Sequence, residues 1–246
     1  MKKLATILSV AFLAFMPMKA KALELKSLEI GTETFFYDNF TADKSITQPK
    51  EEWTGWKQGI NLNLGLNGVK LENNLNAGVT NYDSKTKGDY YGQEESTYEG
   101  RILFGDKFYA GLGYRRLTGD ALGKETDKGY IGSLRTSQTF YIPLGFNYET
   151  ENLEFNAEYD LFTFGEVSQK TDLRTEEQDR KYQQSMAGAG VRGSVDFVKK
   201  FKKFQFKIGN FGRFWLMGNS FKDKAENKRE SAKITDEVGL RIQFKF

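Results

Sequence analysis

The stretch Ile234–Phe246 reads ITDEVGLRIQFKF and decides the fold. Apolar side chains occupy alternate positions, and polar side chains or glycine fill nearly all the positions between them. Successive side chains of a β-strand point to opposite faces, so this alternation predicts one amphipathic strand at the end of the chain. The apolar positions are Ile234, Val238, Leu240, Ile242, Phe244 and Phe246.

The segment Val238–Phe246 resembles the C-terminal signal of bacterial outer-membrane β-barrels. The resemblance implies that this strand closes a barrel and that the barrel-assembly machinery recognises Val238, Leu240, Ile242, Phe244 and Phe246. It also implies periplasmic chaperones, outer-membrane lipid and lipopolysaccharide as partners. Over residues 23–246 the chain is similar in pattern to small porin-like outer-membrane barrels of Gram-negative bacteria, which implies an outer-membrane location.

Residues 1–22 resemble a cleavable secretory signal peptide. Lys2 and Lys3 precede the apolar run Leu4–Met16, and Ala20-Lys21-Ala22 is a small-x-small cleavage site. A membrane anchor is the alternative, but this run is shorter than the roughly 18 residues that a spanning helix needs. The sequence therefore predicts one domain, a barrel of residues 23–246.

Composition excludes several kinds of site. Three of the 36 lysines and arginines lie in the signal segment, which has no acid, so 33 basic residues face 33 acidic ones in the rest. Such a balance gives no basic face for nucleic acid. The chain has no cysteine and no histidine, and histidine is the usual general base and a common metal ligand. We therefore expect no catalytic site, no metal and no cofactor.

Period-two alternation recurs along the chain and predicts an all-β fold, a single closed antiparallel transmembrane barrel. Ten strands are expected, with eight or twelve as alternatives, and the barrel is expected to be a monomer. The predicted strands are 28–37, 56–66, 69–79, 98–104, 108–114, 140–148, 153–161, 187–197, 204–208 and 234–246. The short turns, expected to be periplasmic, are 67–68, 105–107, 149–152 and 199–203. The long extracellular loops are 38–55, 82–95, 117–137, 165–184 and 219–233.

Two irregularities are expected within the strands. Pro143 cannot donate a ladder hydrogen bond, so we expect it near a bulge or a missing bond. Near Asn210-Phe211 the alternation is unclear, and this indicates a bulge.

Aromatic residues favour a membrane barrel over a soluble periplasmic sandwich, which also alternates. Aromatic side chains flank the short turns, as Phe104 and Phe108 do, and would form the inner interfacial belt. The outer belt is expected to contain Phe36, Tyr37, Trp56, Tyr82, Tyr98 and Tyr114.

The strand positions that are predicted to face the barrel interior carry nine acidic and nine basic residues. The acids are Glu29, Glu33, Glu72, Glu99, Glu154, Glu158, Asp160, Asp196 and Glu237. The bases are Lys57, Lys70, Arg101, Arg115, Arg192, Lys207, Arg213, Arg241 and Lys245. Balanced charges indicate paired ions that fill the interior, whereas the numerous inward glycines favour a small hydrated pore with charged walls. Both interpretations stay open, and the function expected is a narrow porin-like pore for small solutes or ions.

Two other functions are alternatives. A non-conducting barrel could bind host or surface ligands through its loops, where Trp53 and Tyr90-Tyr91 are expected to be exposed. Basic residues of these loops could meet lipopolysaccharide phosphates; they are Arg116, Arg135, Lys222, Lys224, Lys228 and Arg229.

A hydrolase is the least favoured alternative. In strand number the chain resembles the omptin proteases, which use an acid pair with a His-Asp pair, but it has no histidine. The carboxylates Glu158 and Asp160 share one face of a strand and could act as a glycosidase pair. Interior ion pairing is the favoured interpretation of these two residues.

Overall fold

The computed structural model describes residues 24–42, 51–173, 176–184, 188–218 and 232–246, and for 42, 171–173 and 176–184 it describes the backbone only. The signal peptide predicted for residues 1–22 lies outside this part of the chain. In the described part, no helix is long and apolar enough to cross a membrane.

The described chain is built from β-strands joined by tight turns and longer loops. The strands are β1 (Leu25–Ala42), β2 (Glu51–Leu66), β3 (Val69–Asp83), β4 (Tyr90–Phe104), β5 (Phe108–Asp120), β6 (Ser133–Glu149), β7 (Leu153–Leu173), β8 (Glu176–Gln184), β9 (Gly188–Lys200), β10 (Gln205–Met217) and β11 (Ala232–Lys245). All of their pairings are antiparallel.

These strands close into a barrel with ten positions. The lower part of β7, Leu153–Leu161, pairs with β9, and its upper part pairs with β8. β8 and β9 therefore occupy the same position in the barrel, one above the other. The remaining strands pair in chain order, and β1 pairs with β11. The predicted ten-strand antiparallel barrel is thus confirmed.

The closing strand joins the two ends of the chain. Glu29 pairs with Lys245, and the register continues to Ala42 and Ala232. The backbone groups of Leu28 and Phe246 exchange two hydrogen bonds of 3.2 and 2.9 Å. The five apolar residues of the predicted assembly signal all point outward, and Val238 is 59% exposed.

The strands are longer than the sequence analysis predicts. β1 continues to Ala42 and β2 begins at Glu51, inside the predicted loop 38–55. The predicted loop 165–184 consists mostly of the upper part of β7 and of β8. In the described upper parts of β2 and β7 the outward positions are mostly polar, as at Thr54, Glu166 and Ser168. Backbone pairing continues there without apolar side chains, so the hydrophobic alternation ends several residues before the strands do.

One of the two expected irregularities is confirmed. In the β5–β6 ladder the register runs from Ala110 with Leu144 to Gly113 with Tyr141, so Pro143 lies at an interruption of the pairing. The bulge expected at Asn210-Phe211 is wrong, because β10 keeps its register with both neighbours from Gln205 to Met217. The alternation is hidden there because Asn210 points outward and Phe211 inward.

The outward face carries the expected belts, with two corrections. Phe36, Trp56 and Tyr98 are exposed on the long-loop side, and Phe108, Phe197 and Phe246 on the short-turn side. Tyr37 and Tyr82, predicted for the outer belt, are buried in the interior. They follow the inward parity of β1 and β3, so the alternation itself overrides the preference of aromatic side chains for the belt.

Two glycines make room for tyrosine rings across the β5–β6 pair. A Cβ on Gly113 would lie 2.1 Å from the ring of Tyr141, and a Cβ on Gly145 would lie 2.1 Å from the ring of Tyr109. Tyr141 pairs with Gly113 and Tyr109 pairs with Gly145 in the ladder. Both rings therefore lie against backbone inside the barrel, and this fixes their hydroxyl groups.

We predict that Gly113→Ala destabilises the barrel, because the added methyl group displaces the Tyr141 ring from its position. Such overpacking costs about 1–3 kcal/mol. The temperature at which the folded band disappears on SDS gels should fall. Gly212→Ala is the matched control, because the nearest atom to its Cβ is 4.0 Å away, and it should behave as wild type. Equal transitions for both variants would contradict this account of the tyrosine–glycine pairs.

Candidate functional site

Arg192 on β9 is the centre of an ion-pair network inside the barrel. Its Nε atom lies 2.7 Å from Asp160 Oδ2 and 3.0 Å from Glu158 Oε1. Its Nη2 atom crosses the lumen to Glu99 on β4, 2.5 Å away. The hydroxyl of Tyr141 donates to the same Glu99 oxygen at 2.5 Å. One guanidinium therefore ties together side chains from four strands.

Glu158 is shared between two arginines. Arg101 donates to Glu158 Oε1 at 2.5 Å and also forms an ion pair with Glu72. Tyr109 donates its hydroxyl to the other Glu158 oxygen at 2.8 Å. Both oxygens of this buried carboxylate are therefore engaged.

A second set of ion pairs crosses the lumen between β5 and β11. Arg115 Nη2 lies 2.5 Å from Glu237 Oε1, and these strands are on opposite sides of the ten-position barrel. Arg213 lies 2.7 Å from Glu33 and 3.2 Å from Glu237. The two arginines thus share Glu237.

The remaining predicted interior residues pair closer to the short turns. Arg241 lies 2.5 Å from Asp196, and Lys207 lies 2.6 Å from Glu154. The structure thus places all twelve predicted interior positions on the inward face and in ion pairs. They are Glu99, Arg101, Arg115, Glu154, Glu158, Asp160, Arg192, Asp196, Lys207, Arg213, Glu237 and Arg241.

Aromatic rings pack against the arginines of this network. Trp215 lies between two guanidinium groups, 4.4 Å from that of Arg192 and 4.6 Å from that of Arg115. Its other neighbours are Tyr141 and Phe162, with which it forms a buried cluster. Cation–π contacts gain strength away from water, so these rings help to hold the arginines in the lumen. The sequence analysis missed them, although the inward parity of β10 includes Trp215.

A cavity of about 260 Å³ lies at the long-loop end of the barrel. Its walls include Trp53, Tyr82 and Tyr90, with Arg135 and Lys233. Further wall residues are Asn39, Thr41, Glu51, Lys87, Gln93, Glu95, Leu117, Gly119, Thr126, Tyr130, Ile131, Gly132, Ser133, Ser137 and Gln169. The cavity therefore combines aromatic, hydroxyl, amide and charged side chains, as ligand sites do.

Gln93 organises one wall of this outer cavity. Its carbonyl oxygen accepts hydrogen bonds from Trp53 Nε1 at 3.2 Å and from the Tyr90 hydroxyl at 2.6 Å. Its amide donates to Glu95 at 3.2 Å, and Glu95 forms an ion pair with Lys57 at 2.7 Å. The links from Gln93 to Trp53 and Glu95 are buried, and the link to Tyr90 is partly buried, so this network holds the Gln93 side chain in place.

Two long loops join at the rim of the outer cavity. Thr126 donates its hydroxyl to the Lys87 carbonyl at 2.6 Å. Asp89 and Asp127 are joined by two hydrogen bonds, of 2.9 and 3.2 Å. Residues 84–89 and 121–132 therefore form one continuous rim on this side of the barrel mouth.

Two expectations for loop residues are wrong. Trp53 is 7% exposed and lies in the cavity wall, not on the surface. Arg135 lies over the Trp53 ring, 5.5 Å from its centroid, rather than at the lipid rim. Both residues belong to strands that extend beyond the predicted ends, so their inward parity was not recognised. Lys222, Lys224, Lys228 and Arg229 lie outside the described residues.

Within the described ranges, no group of three or more acidic side chains is placed to hold a metal ion. The carboxylates of the interior face arginine and lysine instead.

No family model and no curated protein matches the sequence. Among solved structures, the outer membrane protease OmpT from Escherichia coli is similar with a TM-score of 0.55, 9% identity, and coverage of 93% of this chain and 99% of that one. Neisserial surface protein A gives a TM-score of 0.40 at 10% identity, with coverage of 89% and 97%. Ail of Yersinia pestis gives 0.39 at 8% identity, with coverage of 91% and 100%. At such an identity the OmpT match shows the fold alone, which is a closed antiparallel β-barrel.

We predict that Arg192→Met strongly destabilises the barrel. The change leaves the buried carboxylates Glu99 and Asp160 without their main cation, and breaking a buried ion pair costs about 3–5 kcal/mol. The heat-modifiability transition in SDS and the urea midpoint should both fall.

Lys200→Met is the matched control for this prediction. Lys200 pairs with Glu149 at 2.8 Å, but both side chains are nearly half exposed, and exposed pairs contribute about 1 kcal/mol or less. A stable Arg192→Met barrel would show that the network does not hold the interior together.

Proposed function

We propose that this protein is a closed outer-membrane barrel that binds a small polar ligand in its outer cavity and does not conduct. The observation that carries the proposal is the ion-pair network beneath this cavity. Arg115 with Glu237, and Arg192 with Glu99, extend from one wall of the lumen to the other. An ion on its way through would have to separate these buried pairs, which costs several kcal/mol.

The outward face supports the membrane location. Apolar side chains such as Leu64, Leu240 and Ile242 point outward between the two aromatic belts, which suits a barrel surrounded by lipid. The proposed membrane location includes a cleaved signal peptide and contact of the rim with lipopolysaccharide. Periplasmic chaperones and the barrel-assembly machinery are the proposed partners, and the barrel is proposed to be a monomer. The closing strand, with its exposed Phe244 and Phe246, supports recognition by the assembly machinery.

A narrow porin-like pore is the second candidate. A polar cavity of about 60 Å³ lies among Asn61, Asn74 and Asn156 toward the short turns and would hold water. The network of Arg101, Arg192 and Arg213 lines this cavity and lies between it and Trp53 of the outer cavity. A pore therefore requires these arginines to move.

We assign the protein no catalytic role. Glu158 and Asp160, the acid pair that could act on a glycoside, both bind Arg192 and so are held as ion-pair partners. The similarity to a protease is one of fold, and this chain has no histidine.

The conductance prediction is that the refolded chain from Leu23 gives no stable single-channel steps in a planar bilayer. The double variant Arg115→Ala/Trp215→Ala shortens two side chains that fill the lumen and should give small steps. Steps from this variant would also show that the measurement can detect a pore in a barrel of this size.

Stable wild-type steps would overturn the closed barrel. If the ion selectivity of those steps reversed in Arg115→Glu, the porin-like function would take its place.

The location is tested by single cysteines, since the chain has none of its own. Lys128→Cys in the exposed β5–β6 loop should react with a bulky, membrane-impermeant maleimide in intact Gram-negative cells. Lys202→Cys, in the exposed β9–β10 turn, should react only after the outer membrane is permeabilised. Labelling of both sites in intact cells, or of Lys202→Cys alone, would refute the proposed location or orientation.

A further inference from the structure

One short turn of the barrel concentrates positive charge. The segment Lys199–Phe204, which forms the β9–β10 turn and the strand ends beside it, reads KKFKKF, and all its lysines are exposed. The other short turns, 67–68, 105–107 and 150–152, contain one lysine between them, Lys107. The β9–β10 turn is therefore the most basic of the short turns.

An acid holds only one of these lysines among the described residues. Lys200 Nζ lies 2.8 Å from Glu149 Oε1, next to the β6–β7 turn, and that turn contains one further acid, Glu151. The lysines that form no ion pair with a described residue are Lys199, Lys202 and Lys203. Three exposed ammonium groups are thus available to an external anion.

Phenylalanine rings lie next to these lysines. Phe201 stacks on Phe204 with ring centroids 4.7 Å apart, and Phe204 lies 6.1 Å from the ring of Phe244 and 6.2 Å from that of Phe246. Phe201 is 50% and Phe246 60% exposed. Aromatic rings collect at the headgroup level of a membrane, so this cluster suits a turn that lies at the interface with lipid.

Lys199 lies on the outward face of the barrel. It follows Phe197 in the outward positions of β9 and pairs with Phe206 of β10. A lysine among apolar side chains lays its methylene groups along them and extends its ammonium group to the polar surface. Its charge therefore reaches the same headgroup level as the charges of Lys202 and Lys203.

The turn is held in one conformation by backbone hydrogen bonds. The Phe201 N–H donates to the Phe204 carbonyl at 2.8 Å, and the Val198 N–H donates to the Asn152 carbonyl at 2.8 Å. The side chain of Val198 is fully buried in the barrel. A binding surface that is already ordered loses less entropy when a ligand binds.

We infer that the segment Lys199–Phe204 binds an anionic phospholipid, whose phosphate lies among the three lysines without an acidic partner while its acyl chains pack against Phe201 and Phe204. The charges are complementary, since clusters of basic side chains at a membrane surface attract anionic headgroups. The rings beside the cations suit a ligand that joins a charged head to apolar chains. This inference rests on the proposed membrane location, which puts the short turns at the phospholipid leaflet facing the periplasm.

The test is native mass spectrometry of the refolded chain from Leu23 in a nonionic detergent. Dioleoyl phosphatidylglycerol, which is anionic, and dioleoyl phosphatidylcholine, which is zwitterionic, are titrated separately, and the fraction of barrel with one bound lipid gives each dissociation constant. The anionic lipid should bind at least about tenfold more tightly, because the choline group brings its own positive charge to the lysines. Equal affinities would overturn the inference.

Variants locate the lipid on the barrel. The triple variant Lys199→Gln/Lys202→Gln/Lys203→Gln should weaken phosphatidylglycerol at least about tenfold and leave phosphatidylcholine unchanged. Phe201→Ser should weaken both lipids severalfold, because their acyl chains are the same. Full affinity of the triple variant for phosphatidylglycerol would place the lipid elsewhere and overturn the site. If this variant does not fold, the comparison of the two lipids on the wild-type chain still decides.

A second triple variant is the matched control. Lys85→Gln/Lys124→Gln/Lys128→Gln removes the same charge from the loops at the opposite end of the barrel and should bind phosphatidylglycerol as wild type. An equal loss of affinity in both triple variants would reveal an effect of net charge alone and count against the turn.

A change of anion separates a lipid site from a site for free phosphate. Replacing ammonium acetate by ammonium phosphate at equal ionic strength should leave the bound phosphatidylglycerol in place, because inorganic phosphate has no chains to contact the rings. Displacement of the lipid would overturn its assignment as the ligand.

The outcomes also separate this inference from the proposed location. Loss of the preference for the anionic lipid would overturn the inference alone, since cysteine labelling in cells tests the location by itself. Labelling of Lys202→Cys in intact cells would refute the proposed orientation and with it the leaflet named here.

Discussion

The interior of this barrel depends on charge compensation. A ten-strand barrel of alternating residues must place half of its side chains in a narrow lumen, and here many of these are ionised. Each buried charge loses hydration, and only a partner at hydrogen-bonding distance restores part of that loss. Arg192, which reaches Glu99, Glu158 and Asp160, shows the result most clearly. The interior is packed with ions and rings instead of aliphatic side chains.

Alternation was enough to predict which side chains point inward, and together with the aromatic belts and the closing strand it predicted the barrel. It identified Glu99 and Arg192 as interior residues without any knowledge of their contact. What it could not predict was the partner of each charge, because pairs that cross the lumen join strands distant in sequence. The choice between a filled interior and a hydrated pore depended on those partners and so stayed open.

The outer cavity escaped prediction for a different reason. Its walls lie where the outward positions are polar, so the strands appear to end before Trp53 and Arg135. Every second residue of a strand faces inward. Continuing this rule from Lys57 back to Trp53, or from Glu99 back to Glu95, would have identified residues of the cavity walls. The segments that look like loops in the sequence thus form the walls of the outer cavity, above the ion pairs that cross the lumen.

The cross-lumen ion pairs also constrain the order of folding. Arg213 and Glu33 are 180 residues apart, and Arg115 and Glu237 are 122 apart. Contacts of such long sequence separation form late, since the intervening chain must first be brought together. Until β11 meets β1, these side chains remain without their partners and need water. The inward face of the assembling sheet must therefore stay hydrated until β11 pairs with β1, and water leaves the interior only as the barrel closes.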